Sequence, residues 1–116
     1  VKTPLLVAVL SLLVLSPLSA DEPLVRVAEP DARKAVLERV NPTYPAMAKQ
    51  MHVSGKVMVD VFIDPDGTVE KVSVLSGNPM LTAAATSAVK QWKFSPFKAN
   101  GKTVHAVTAM SFVFNL

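Results

Sequence analysis

The sequence predicts an α+β fold, a three-stranded antiparallel sheet with two helices packed on one face. Three observations carry that expectation. Residues 56–64 alternate apolar and polar and run into Asp64-Pro65-Asp66-Gly67, so two strands turn back on each other. Residues 79–92 repeat apolar side chains at helical spacing. Residues 103–116 then alternate again, with no Lys, Arg, Asp or Glu among them.

The first twenty residues stand apart from this pattern. Lys2 supplies their single charge, residues 5–15 are almost unbroken Leu, Val and Ala, and Pro17-Leu18-Ser19-Ala20 ends in small side chains. That layout predicts a secretory signal peptide over residues 1–20, cut after Ala20. The alternative is an uncleaved anchor. A spanning helix needs about 20 apolar residues, and residues 5–20 offer sixteen, broken by Pro17.

Residues 21–40 form an N-terminal segment with weak periodicity. Leu24-Val25-Arg26-Val27 suits a short strand, and residues 31–38 suit one or two helical turns with Asp31 as N-cap. Leu37-Glu38-Arg39-Val40 alternates and fits an edge strand equally well. Residues 41–116 are the folded domain. Asn41-Pro42-Thr43-Tyr44-Pro45 holds the chain extended, because a residue before proline is pushed out of the α region. Pro45 suits the first position of a helix that residues 46–51 continue and Ser54-Gly55 stops. For Tyr44, packing on the sheet and a place at an interface fit equally.

In the hairpin, Val57, Val59, Val61 and Ile63 face one way. The returning strand, residues 68–76, puts Val72 and Val74 on the same side, and Val69 is out of phase with them, which predicts a bulge near Glu70-Lys71. Asn78 and Pro79 open the main helix as N-cap and first residue. Leu81, Ala84, Ala85, Ala88, Val89 and Trp92 make its apolar stripe, Ser95-Pro96 ends it, and Asn100-Gly101 marks a turn. In the last strand, Val104, Ala106, Thr108, Met110, Phe112, Phe114 and Leu116 form one face. His105, Val107, Ala109, Ser111, Val113 and Asn115 form the other.

Composition narrows the function classes. After Ala20 there are eleven Lys and Arg against nine Asp and Glu, dispersed along the chain, for a net charge of +2. A nucleic-acid surface wants clustered bases with aromatics between them, so none is expected. There are no cysteines, which excludes disulfides and thiolate zinc sites and suits an oxidising compartment. His52 and His105, far apart in sequence, lack the spacing of a metal site. Asp64 and Asp66 are turn residues without a full calcium loop. Asp60 and Asp64 lie roughly 13 Å apart by strand rise, too far for a shared proton, and the serines have no His-Asp arrangement. The expectation is therefore no enzyme, no cofactor and no metal.

The ordered set of motifs resembles one family. Asn41-Pro42-Thr43-Tyr44-Pro45, Val53-Ser54-Gly55-Lys56-Val57, Ile63-Asp64-Pro65-Asp66-Gly67-Thr68-Val69, Val72-Ser73-Val74-Leu75-Ser76-Gly77-Asn78-Pro79 and Ala88-Val89-Lys90-Gln91-Trp92-Lys93-Phe94-Ser95-Pro96 are similar, in order and spacing, to the TonB C-terminal domain. Each piece alone is ordinary turn, helix or strand chemistry; together they are specific. The resemblance implies a periplasmic module that binds the TonB box, an extended N-terminal peptide of outer-membrane receptors, along the edge of its last strand. In that mode backbone groups of the edge supply affinity and neighbouring pockets supply specificity. Carried onto this chain, the peptide-binding residues are Val104, His105, Ala106, Val107, Thr108, Ala109, Met110, Ser111 and Val113, with Asn41 and Tyr44 beside them. The family often has Gln where Asn41 stands.

Two departures limit the resemblance. A full-length TonB carries Ser and His on one face of its anchor to engage motor proteins. Here Ser11 and Ser16 precede no His before His52. It also has a long Pro-rich spacer, whereas twenty residues at about 3.6 Å each reach roughly 70 Å. The resemblance thus reaches the binding domain and not the coupling to a motor complex. The uncharged last strand must also be covered or used, since bare edges are hazards. Its candidate covers are residues 24–27, a second copy of the domain in a homodimer, or a peptide from an envelope partner. The alternative function is accordingly a self-associating or accessory envelope domain without energy transduction.

Overall fold

The computed structural model describes residues 23–116; the expected signal or anchor over residues 1–20 lies outside them. In chain order the elements are β1 (Leu24–Arg26), α1 (Glu29–Lys34), β2 (Val36–Glu38), α2 (Ala46–Gln50), β3 (Gly55–Ile63) and β4 (Val69–Ser76). Then follow α3 (Pro79–Val89), β5 (Lys93–Phe94), β6 (Lys98–Ala99), β7 (Lys102–Thr103) and β8 (His105–Phe114). The main sheet has the order β1-β8-β3-β4. Its three long strands are antiparallel, as expected; β1 adds a short parallel fourth. Two small two-stranded ribbons, β2-β5 and β6-β7, complete the strands.

The hairpin is built as its alternation predicts. Val57, Val59, Val61 and Ile63 are all buried. Ile63 pairs with Val69 and Phe62 with Lys71, so Glu70 is bulged out and Val69 returns to the inner face. A second irregularity skips Leu75, between Met58↔Ser76 and Val59↔Val74. Val74 was expected inward; it shares the inner face of Val59 yet remains exposed, because it sits on the outermost strand where little lies over it. At the turn, Gly67 has φ 92° and donates to Asp64 O at 2.8 Å. A side chain there would run into the Phe94 carbonyl, whose own residue donates to Gly67 O at 2.9 Å. The turn is thereby bolted to the far end of the α3 connection. Hydrogen bonds from the Thr68 hydroxyl and amide hold the Asp66 carboxyl below its ordinary value.

Asn78 caps α3 through its side chain, which accepts from Met80 N at 2.8 Å. Leu81, Ala85, Ala88 and Val89 carry its buried stripe. The helix stops at Val89, short of Ser95-Pro96, and a tight turn follows in which Trp92 N donates to Val89 O at 3.0 Å. Trp92 is buried all the same, stacked edge-on with Phe112 at 5.6 Å between ring centres. Its indole N–H donates to Val40 O at 2.8 Å, pinning the N-terminal segment to the core. Asn100 and Gly101 both take positive φ, 53° and 79°, and close the β6-β7 ribbon.

The N-terminal segment resolves both alternatives left open in the sequence. Helix α1 and strand β2 follow one another, with Ala28 rather than Asp31 at the N-cap and Pro30 in the first turn. Proline fits there because that N–H has no helical partner. Ala32 is fully buried. Strand β8 begins at His105, and Thr103 belongs to the β6-β7 ribbon instead.

Candidate peptide-binding edge

Strand β8 pairs with β3 in register from Gly55↔Phe114 to Ile63↔Ala106. In an antiparallel ladder, alternate residues point both backbone groups at the partner and the others point them away. Val107 O accepts from Val27 N at 2.8 Å, and Ser111 N–H meets Glu29 Oε2 at 3.1 Å. Residues 105, 107, 109, 111 and 113 therefore present their N–H and C=O groups to the outer edge. The side chains of Ala106, Thr108, Met110 and Phe114 turn into the buried interior.

That outer edge is partly occupied by the chain itself. Leu24, Val25 and Arg26 pair in parallel with His105, Ala106 and Val107. Farther along, α1 clamps Ser111 with two side chains. The Glu29 carboxylate accepts from its amide, and Arg33 donates to its carbonyl at 2.6 Å. Arg33 also binds Glu29, Nε to Oε2 at 2.9 Å, so the two hold one another across the edge. Burial alone would raise the Glu29 carboxyl. The Ser111 amide and the Arg33 guanidinium outweigh it and leave the pKa below the ordinary glutamate value. Of the three covers expected for this edge, residues 24–27 take its start, and α1 bridges it at Ser111. The reason is local: residues 24–27 are extended and apolar enough to add to an uncharged strand.

Beyond Ser111 the edge emerges. Val113 is 63% exposed. Beside it is a hollow of about 200 Å³ lined by Pro42, Tyr44, Phe112, Val113, Phe114 and Asn115. Tyr44 packs edge-on against Phe114 with ring centres 5.5 Å apart, and its hydroxyl donates to Val53 O. Tyr44 thus serves both packing and the rim of the hollow. Asn41 is not brought to this place. It lines a separate hollow of about 130 Å³ with Val40, Thr43, Ala84, Ser87, Ala88 and Gln91, on the α3 side. Val104 is buried, and its amide donates to Phe97 O at 2.9 Å, off the edge.

Sequence reasoning missed two side chains here, Glu29 and Arg33. Their i, i+4 spacing is visible in the sequence, but it reads as an ordinary helix pair until the fold brings Ser111 against it. It missed one cluster as well. His105 Nδ1 lies 3.6 Å from Asp64 Oδ1 and 3.8 Å from Glu70 Oε2. Ligand atoms of these three residues lie within 4.8 Å of one another, a group that could hold a metal ion. Cross-strand register assembles it from three strand ends, which spacing along the chain does not reveal.

The fold and edge define a small α+β domain whose last strand takes an extended segment along its flank. Residues 40–116 match the family model described as Gram-negative bacterial TonB protein C-terminal, so the chain belongs to the TonB C-terminal family. It is 37% identical to Protein TonB of Vibrio cholerae over 76 residues, 64% of this chain and 31% of that protein. Against Protein TonB of Escherichia coli the figures are 33% over 81 residues, 58% and 34%. The chain therefore spans about a third of the length of these curated relatives. A solution structure of the Pseudomonas aeruginosa TonB C-terminal domain aligns with a TM-score of 0.60 at 30% identity, covering 70% of this chain and 84% of that one. The family is not enzymatic, and this domain is no enzyme. It is a periplasmic domain of the cell envelope. Among the described residues no helix is long and apolar enough to cross a membrane.

Proposed function

We propose that this domain binds an extended peptide of TonB-box type, from the N-terminus of a TonB-dependent outer-membrane receptor or another envelope protein, by β-augmentation on the outer edge of β8. The observation that carries the reading is that this edge already accepts a strand: β1 lies along it with its backbone in register. A foreign strand can use the same row of N–H and C=O groups, with the Tyr44 hollow receiving a side chain at the Val113 end. The family membership agrees with this use. Export by residues 1–20 belongs to the same proposal.

Titrating synthetic receptor N-terminal peptides into isotope-labelled protein tests it. Amide shifts along residues 105–113 and at Tyr44 are expected. Unchanged shifts across that strand with every receptor peptide would sink the reading.

A further inference from the structure

Resting on that reading, the geometry points to a specific ligand pattern, and to a competitor for it inside the chain. We propose that the edge from His105 to Ser111 takes a partner strand running parallel to β8 with the order apolar, basic, apolar, any residue, acidic. Residues 25–29 supply that pattern in cis and must leave before a partner can use this stretch.

Each position has its own physical reason. Val25 pairs with Ala106, on the helix-covered side of the sheet, and is half-buried there. Val27 lies on the same side, two residues on, and packs against the core. Arg26 points to the other face, where its guanidinium is 3.5 Å from Asp60 Oδ1. That exposed pair selects against an acidic residue more than it adds affinity. Glu29 lies past the strand and delivers its carboxylate to the Ser111 amide at 3.1 Å. A charged acceptor on an amide is among the stronger hydrogen bonds, so this contact is the main specificity point.

Three features make the occupant exchangeable. The strand is three residues long, with Leu24 and Arg26 exposed. Its attachment is to an edge, with no strand on its far side among the described residues. Ala32, the fully buried side chain of this segment, lies past the clamp in α1, so residues 24–29 can peel away, the first residue of the helix with them, while Ala32 stays seated. Short, exposed ladders of this kind open locally at far lower free energy than core strands.

The probe is a synthetic peptide of this chain's own residues 23–34, added in trans to the full chain carrying Val27→Pro and Glu29→Gln. Proline removes the amide that binds Val107, and glutamine removes the charge on the Ser111 clamp. The peptide should bind this variant and shift the amides of Val107 and Ser111, while the wild-type chain, occupied in cis, binds it at least about tenfold more weakly. A peptide with Gln at the Glu29 position should lose about tenfold in affinity, and a spin label at the peptide's N-terminus should broaden His105 and not Ser111. Equal binding to wild type and variant, or broadening at Ser111 instead, overturns the proposal. Should the double variant lose its cooperative transition, Glu29→Gln alone decides: Ser111 amide exchange must accelerate while β3 amides do not, and uniform exchange overturns it. Receptor peptides that shift only residues 109–113, with the cis strand in place, would remove this inference and leave the proposed function standing. Absence of any receptor-peptide binding removes that function, whatever the trans peptide does.

Discussion

On its β3 side, β8 is paired over nine positions, and the side chains between the strands are buried valines, Ile63 and Met110. On its outer side, three residues of β1 and two charged side chains hold it. The backbone donors and acceptors of the two sides are chemically identical, so hydrogen bonding alone does not distinguish them. What differs is the apolar surface that each ladder brings with it. Burial contributes about 25 cal/mol per Å², and the net value of a single hydrogen bond is about 1 kcal/mol. The inner side is therefore part of the fold, and the outer side, filled by β1 and Glu29, is the surface proposed for binding.

The largest perturbation should come from the inner side. Met110 is fully buried against β3, and Met110→Ala should cost about 2–5 kcal/mol in denaturant unfolding, with both edges of β8 lost together. Gly67→Ala should follow, at about 2 kcal/mol or more, because positive φ and the Phe94 carbonyl both exclude a side chain. Its effect would reach β8 only through global stability. Thr108 offers the opposite sign on the same side. Its hydroxyl is buried with no hydrogen-bond partner among the described residues, so Thr108→Val should stabilise the domain by about 1 kcal/mol and leave peptide affinity unchanged.

The outer side should respond with a small change in global stability. Glu29→Gln should lower it by about 1 kcal/mol or less, yet speed hydrogen exchange at Ser111 well before the β3 amides respond. Acid should do the same to the wild-type chain. The folded Glu29 carboxyl lies below its ordinary value of 4.5, so the unfolded or released segment binds the proton more readily. The clamp is thus present above that pH and is lost as pH falls through the lowered folded value. Amide shifts of Ser111 followed from pH 7 downward should show the loss in that window. A clamp that weakens on raising the pH instead would contradict the assignment.

Much of the inner side was legible in the sequence, because burial writes itself as periodicity. The 57-59-61-63 alternation, the bulge at Glu70, the Asn78 cap and the α3 stripe all carry local signals. The end of α3 was less so, since Trp92 keeps helical phase after the helix has stopped. The outer side was legible only as a question. An uncharged strand announces that something covers it, but residues 24–27, a second copy and a ligand peptide would all leave the same trace. The Glu29-Arg33 clamp depends on contacts 82 and 78 residues away in sequence, and Asn41 and Tyr44, three residues apart, open onto different hollows. Such juxtapositions have no periodic signature.

Native-state hydrogen exchange along β8, read residue by residue by NMR, tests the central contrast most directly. The amides of residues 106, 108, 110, 112 and 114 should exchange only through global unfolding. Those of Val107 and Ser111 should exchange through local opening at clearly lower free energy, with little dependence on denaturant. If both sets share one opening free energy and one denaturant dependence, the β1 cover is as much a part of the fold as β3, and the account of an exchangeable binding edge is wrong.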